Sequence, residues 1–176
     1  MKKKKENKAR WLLFIVCLTF VISFLLSLVS ELIIPNANIF LCIFLVLFFI
    51  FLGIIFDIVG VAITTAEPKI FHSMASQKIK GSKLAIKLIN KKDKVSSFCN
   101  DVIGDICGVV SGSCGLSIAM RLSSIFNVNS VYLVLFMTAI ISTLTIGGKA
   151  LGKGIAVKKS NDIVSELSKI LGIFEK

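Results

Sequence analysis

Few of the side chains from which enzymes build acid–base or thiolate sites occur in this chain of 176 residues. It contains one histidine, and its five cysteines form no Cys-x-x-Cys pair. A single histidine leaves little material for general acid–base catalysis, in which histidine is the commonest participant. The cysteine spacing gives no zinc or redox motif. We therefore expect a protein that is not an enzyme.

Charged residues are absent from three long stretches, and this absence excludes an ordinary soluble domain. Each stretch has at least 20 residues, which is about enough for a helix to cross a ~30 Å hydrocarbon core. The whole chain is 55% hydrophobic with a mean hydropathy of +0.88. The first stretch is longer than the ~7–15 apolar residues of a signal peptide, which predicts a retained anchor. The stretches are Trp11–Ser30, Leu32–Phe56 and Leu122–Gly148.

Lysine and arginine are confined almost entirely to three segments. Six precede Trp11, eight lie between Glu67 and Asn100, and six follow Gly148. The positive-inside rule keeps such segments in the cytoplasm. Four crossings with both termini cytoplasmic satisfy all three segments, whereas three crossings would leave one outside. This count indicates that the shorter uncharged run Ile106–Met120 also crosses the membrane. The distribution of lysine and arginine therefore predicts a multi-pass protein of the cell (plasma) membrane.

These patterns predict an all-α membrane protein with about four transmembrane helices and cytoplasmic amphipathic helices beside them. The helices that cross the membrane are separated by one long basic connection and by two short, nearly uncharged ones. The predicted order is a basic cytoplasmic tail (1–10), a membrane helix (11–34), a second membrane helix (39–66), a cytoplasmic basic amphipathic segment (67–100), a third membrane helix (101–121), a fourth (127–148) and a cytoplasmic amphipathic tail (149–176).

The connection between the second and third membrane helices combines apolar and basic residues at helical spacing. Ile79, Ile86 and Ile89 fall on one helical face, and Gly81 is a candidate break between two pieces. A basic amphipathic helix beside membrane spans usually lies at the bilayer surface, where anionic lipid headgroups attract it. The alternative is a solvated cytoplasmic loop. Because the basic segments flank membrane spans, we expect lipid and not nucleic acid as their partner.

Asp57 is the most unusual single residue, because it lies inside the second membrane helix. It is about nine residues from the cytoplasmic end, or roughly 13 Å deep at the rise of an α-helix. A carboxylate at the middle of a membrane helix costs about 2.5–3.5 kcal/mol on insertion scales. Such a residue usually faces the protein interior, and it predicts an ion or proton site. The alternative is a structural, hydrogen-bonded aspartate.

Other oxygen-bearing side chains are expected near the cytoplasmic membrane face, at the ends of the second and third helices. Asp101 and Asp105 are four residues apart and share a helix face, although acids at a helix N-terminus also suit the helix dipole. Hard oxygen ligands suit Mg²⁺ or Ca²⁺ better than zinc or copper. The candidate metal ligands are Asp57, Thr64, Glu67, Asn100, Asp101 and Asp105.

Gly104, Gly108 and Gly112 repeat every four residues in the third membrane helix. This spacing lets helices approach closely in lipid. The predicted partner is the second helix, the fourth helix or a second copy of the third. We expect helix packing here, and a homodimer if the partner is a second copy.

Three stretches carry a resemblance to a known family. They are Thr64–Glu67, Lys80–Leu88 and Asp93–Ser97. In this order they resemble the transmembrane domain of the CNNM/CorB–CorC magnesium transporters. That family closes a membrane helix with two small residues and Glu, continues with a basic segment, and enters its next helix through an Asp-containing phrase. The resemblance covers roughly residues 50 to 170. It implies a dimeric three-helix core, a cytoplasmic belt of helices and the handling of Mg²⁺.

The chain departs from that family in its last motif. Where the family has Glu-x-x-Pro-Lys, this chain has Thr145 and Gly148 in place of the Glu and the Pro, followed by Lys149. We expect no counterpart of the nucleotide-sensing CBS domains that commonly follow, and we interpret the first membrane helix as an addition. Two functions therefore stay open. The chain either binds or transports a divalent cation, or it is a non-transporting membrane scaffold or accessory subunit that keeps the fold.

Overall fold

The computed structural model describes residues 2–33 and 38–174, and over these ranges it is helical and has no strand. The turn expected around Pro35 and Asn36 lies outside the described residues. The all-α class is confirmed. The helices are α1 (Lys2–Ile33), α2 (Ile39–Thr65), α3 (Pro68–Ser76), α4 (Ser82–Asn90), α5 (Lys92–Ser97), α6 (Asp105–Phe126), α7 (Ser130–Lys158) and α8 (Ser160–Phe174), with a π-helical segment (Phe98–Gly104) before α6.

Four of the helical stretches are long and apolar enough to cross a membrane, as the charge pattern predicted. This confirms an integral membrane protein with four membrane-capable helices. The third stretch was the weakest in the sequence, and it reaches the necessary length because α5, the π-helical segment and α6 run on without a break. The four stretches are Arg10–Val29, Ile39–Thr65, Lys92–Phe126 and Ser130–Lys158.

Two helices extend beyond the predicted membrane segments. The basic residues from Lys2 onward belong to the same helix as the first apolar stretch, and the membrane-capable part of α1 begins at Arg10. The fourth membrane helix was expected to end near residue 148, but α7 continues to Lys158. Lysines precede the apolar stretch in α1 and follow it in α7. Lysine is a good helix former, so a change from apolar to basic composition does not end a helix.

The described chain divides into two compact units, and the first contains Met1–Gly53 and Asp105–Thr145. Within it α1 packs against α6. Gly115 of α6 faces α7 so closely that a Cβ atom there would overlap the Ile141 side chain. Ser111 and Ala119, one turn to either side of Gly115, are buried as well. A row of small residues at a spacing of four therefore allows close packing, as is common among membrane helices.

The second unit contains Ile54–Gly104 and Ile146–Lys176, and it has a continuous hydrophobic core. The end of α2, the helices α3 and α4, the end of α7 and helix α8 all contribute to it. Phe71 of α3 is fully buried at its centre. The buried core residues are Ala62, Ile63, Ala66, Phe71, Ala85, Ile89, Ala156 and Val164.

The amphipathic segments form separate short helices in this unit. Ile86 and Ile89 of α4 pack on the core, as their spacing predicted, and the chain does break at Gly81. Ile79, predicted on the same face, lies in the turn before α4 and is 38% exposed. Helix α8 is only partly buried. Val164 and Ser168 are its most buried residues, whereas Ile170 is 54% exposed. The apolar end of α8 thus remains outside the core.

Glycines also set the distance between α7 and α2 within the second unit. Gly148 lies against the Ile54 side chain, and a Cβ atom on Gly152 would come within 2.8 Å of Ile58 Cγ1. Residue 148 is the position at which the resembled family has proline. In this chain it serves as a helix-packing position.

Candidate cation site on the second membrane helix

Asp57 is buried, as expected of a carboxylate inside a membrane helix. Its side chain is 5% exposed, and its Oδ2 atom has no hydrogen-bond partner within the described residues. Leaving a buried acceptor without a donor costs about 1–3 kcal/mol, and more when the group is charged. Asp57 therefore needs a proton, a donor or a cation that the described residues do not provide to Oδ2.

A second buried acceptor lies in the same unit, against a neighbouring position of α2. The Oδ1 atom of Asn100 is buried without a partner, and its Nδ2 atom makes only a long contact of 3.4 Å with Ser96 Oγ. This side chain lies directly against Gly60, where a Cβ atom would overlap Oδ1. Gly60 follows Asp57 by three residues, so the two share a helix face with their Cβ positions about 5–6 Å apart. The two unpartnered oxygens therefore lie on one face of α2.

The local backbone explains how Asn100 reaches α2. It belongs to the π-helical segment between α5 and α6. A π-helical turn carries one more residue than an α-helical turn, and it often occurs at functional sites. The absence of a side chain at Gly60 then leaves room for the Asn100 amide. Close approach at this point requires both features.

Thr64 lies on the same face of α2, seven residues after Asp57. It is half-buried, and its hydroxyl donates to the carbonyl oxygen of Val61 at 2.7 Å. A hydroxyl that donates its proton to the backbone still presents its oxygen lone pairs to other groups. Thr64 can thus supply a third oxygen, a neutral one, along the face that carries Asp57 and Gly60.

The structure does not add the remaining predicted ligands to this group. Glu67 is exposed, and its backbone N–H donates to Asn161 Oδ1 at 3.0 Å. Asp101 is exposed on the π-helical segment. Asp105 is exposed and belongs to the first unit, whereas Asp57 belongs to the second. Among residues 2–33 and 38–174 no three His, Cys, Asp or Glu side chains are grouped to hold a metal. The shared Asp57–Asp105 site stays a prediction.

The glycines of the third membrane helix differ in their surroundings. A Cβ atom on Gly104 would make an ordinary contact of 3.4 Å with Lys149 Nζ. At Gly108 and Gly112 a Cβ atom would meet no described atom within 4 Å. Packing of these two glycines on another helix, such as one of a second copy, stays a prediction.

Two features of the site were not predicted from the sequence. Gly60 was not singled out, although its spacing of three from Asp57 marks it as a neighbour on the same helix face. The π-helical segment has no local sequence signal in Phe98–Gly104 that we recognise. It was therefore not predictable that Asn100, and not Asp101, would face α2.

Comparison of the chain with family models, with curated proteins and with solved structures gave no match. The resemblance to magnesium transporters thus rests on the sequence motifs alone.

Proposed function

We propose that this membrane protein binds a hard divalent cation, Mg²⁺ in the first place, through Asp57 and Asn100, and that it takes part in transport of that ion. The observation that supports this proposal most strongly is the pair of buried oxygens, Asp57 Oδ2 and Asn100 Oδ1, neither of which has a donor within the described residues. A cation satisfies both oxygens at once.

The chemistry of the ligands favours a hard cation. Carboxylate, amide and hydroxyl oxygens are the groups that Mg²⁺ and Ca²⁺ select, whereas zinc and copper prefer nitrogen and sulfur. Mg²⁺ usually keeps several of its waters and is held by one or two carboxylates. A site with a single carboxylate, one amide oxygen and a nearby hydroxyl therefore suits Mg²⁺ better than Ca²⁺, which protein oxygens often surround completely.

The proposal of transport rests on where the site lies in the chain and on the resemblance. Asp57 belongs to a helix that is long enough to span the bilayer, and ionisable residues at such depth mark ion pathways by default. The motifs resemble those of magnesium transporters, and that likeness also supports a homodimer. The second candidate is a non-transporting scaffold or accessory subunit. Gly148 favours it, because this position of the altered family motif is used for helix packing against Ile54.

We expect Mg²⁺ to raise the melting temperature of the purified protein and Asp57→Asn to abolish that rise. At ten times Kd, one site that exists only in the folded state raises Tm by roughly 3–6 °C for a chain of this size. Asn keeps the size of Asp but removes the charge, so it tests the charge alone. Asp101→Asn makes the same chemical change at an exposed position and should keep the full rise. If Mg²⁺ raises the melting temperature of Asp57→Asn as much as that of the wild type, the cation does not bind at Asp57. In that case Asn100 donates its amide to Asp57, and the scaffold function stands.

We further propose that both termini and the basic segment 67–100 are cytoplasmic in the plasma membrane, because twenty of the 21 Lys and Arg residues then lie inside. A membrane-impermeant maleimide added to intact cells should label a cysteine placed at Asn129 above the level of the parent protein. It should not label a cysteine placed at Lys92 until the cells are opened. Labelling of Lys92→Cys in intact cells would refute this topology.

A further inference from the structure

A short turn between α3 and α4 gathers lysines around an open space. The turn spans residues 77–81 and includes two residues in the left-handed backbone region, Lys78 with φ 56° and Gly81 with φ +84°. Gly81 lies directly against the backbone of α8. A Cβ atom on Gly81 would lie 2.9 Å from the carbonyl carbon of Ser168. The end of α8 thereby becomes one wall of the space beside the turn.

Two adjoining cavities open at this place. One has a volume of about 460 Å³, and Lys78, Lys80 and Lys83 line it together with Gly81 and Gly172. The other has about 380 Å³ and shares Lys80, Gly81 and Gly172 with the first. Volumes of roughly 300–1,000 Å³ are typical of small-molecule sites. No acidic side chain is among the described residues that line either cavity. The charged side chains that line the cavities are therefore all lysines, of which Lys169 in the second cavity pairs with Glu166 at 2.7 Å.

Exposed isoleucines border the same lysines. Ile79 lines the first cavity and is 38% exposed, and Ile173 lines the second and is 71% exposed. Ile170, one turn before Ile173 on α8, is 54% exposed. These isoleucines contribute nothing to the binding of a free anion in water, and their exposure to water is unfavourable. Lysines beside exposed apolar side chains are instead the composition of segments that lie at a membrane surface.

We propose that the lysine-lined cavity between the α3–α4 turn and the end of α8 binds the phosphate-bearing headgroup of an anionic lipid from the adjoining leaflet. Lys78, Lys80 and Lys83 pair with the negative charge, and Ile79, Ile170 and Ile173 enter the layer between headgroups and acyl chains. Juxtamembrane lysines each raise affinity for an anionic surface by about fivefold. This proposal does not depend on the cation site, which has the opposite charge and a different set of side chains.

The test uses purified protein in detergent with three probes, which are dioctanoyl phosphatidylglycerol, dioctanoyl phosphatidylcholine and inorganic phosphate. Only the anionic lipid should raise the melting temperature of the wild type. In Lys78→Gln/Lys80→Gln/Lys83→Gln we expect its apparent affinity to fall by about 100-fold. Lys153→Gln/Lys158→Gln/Lys159→Gln removes the same charge from exposed positions of α7 and the residue that follows it, and it should respond as the wild type does.

Each alternative outcome overturns the proposal in a different way. Stabilisation by inorganic phosphate equal to that by the lipid would make the cavity a soluble-anion site. An equal loss of affinity in the two triple variants would mean that the lipid senses total charge and no particular cavity. Native mass spectrometry of the same variants provides a second readout, because the wild type should retain bound phosphatidylglycerol and the first triple variant should not.

Discussion

Gly81→Ala should destabilise the protein by about 2–4 kcal/mol, the largest effect that we expect from any single methyl group outside the membrane-capable helices. An L-residue in the left-handed region costs roughly 1–2 kcal/mol. The new Cβ would in addition lie 2.9 Å from the Ser168 carbonyl carbon and 3.0 Å from Lys169 N. These are backbone atoms of α8, which cannot rotate away as a flexible side chain can. Helix α8 must therefore shift away from α4, against which it packs.

The control for this substitution is Gly154→Ala in α7, where a Cβ atom would meet no described atom within 4 Å. Alanine is a better helix former than glycine by about 1 kcal/mol, so Gly154→Ala should be neutral or stabilising. Thermal unfolding followed by circular dichroism, with limited proteolysis near α8, measures both. Equal melting temperatures for Gly81→Ala and the wild type would mean that α8 does not depend on close contact with Gly81.

Gly60→Ala should weaken Mg²⁺ binding at least about tenfold while leaving the helix intact. The added Cβ would overlap Asn100 Oδ1 and lie 2.8 Å from its Cγ atom, so the amide must rotate away from α2. The site then loses one of its few protein ligands, and the loss of a charge-assisted oxygen contact of about 1.5–3 kcal/mol corresponds to about 10- to 100-fold in affinity. Alanine itself favours the helix, so the fold should tolerate the change.

A matched control and a double variant make this result specific. Gly147→Ala adds a methyl group where no described atom lies within 4 Å and should bind Mg²⁺ normally. Gly60→Ala with Asn100→Ala should recover any stability lost to the overlap but should not recover Mg²⁺ binding. The role assigned to Asn100 fails if Gly60→Ala alone binds Mg²⁺ as tightly as the wild type.

The sequence predicts the membrane helices well because the signal for them is a long-range property of composition. A run without charge must be buried in protein or lipid, and counting lysines between such runs was enough to identify even the third stretch, which is rich in small residues. Helix ends were less predictable. Neither residues 2–10 nor the stretch up to Lys158 contains the proline that would force the helix to stop.

The candidate site was predictable in part. Asp57 stands out because a carboxylate is costly in a membrane helix wherever the chain folds. The choice among Asn100, Asp101 and Asp105 depends on the exact turn of the helix that carries them. One extra residue in a π-helical turn rotates everything after it by about 100°, and spacing alone does not reveal it. On α8, similarly, Ser168 is buried where its backbone lies against Gly81, a tertiary contact that no local pattern encodes.

Direct titration of Mg²⁺ into the purified protein tests the central claim most directly, because it measures binding without relying on stability. Calorimetry on the wild type should give one site per chain. Asp57→Asn should give no measurable binding under the same conditions, and Asp101→Asn should retain the wild-type Kd. Binding to Asp57→Asn with the stoichiometry and Kd of the wild type would contradict the assignment of a cation site to Asp57 and Asn100.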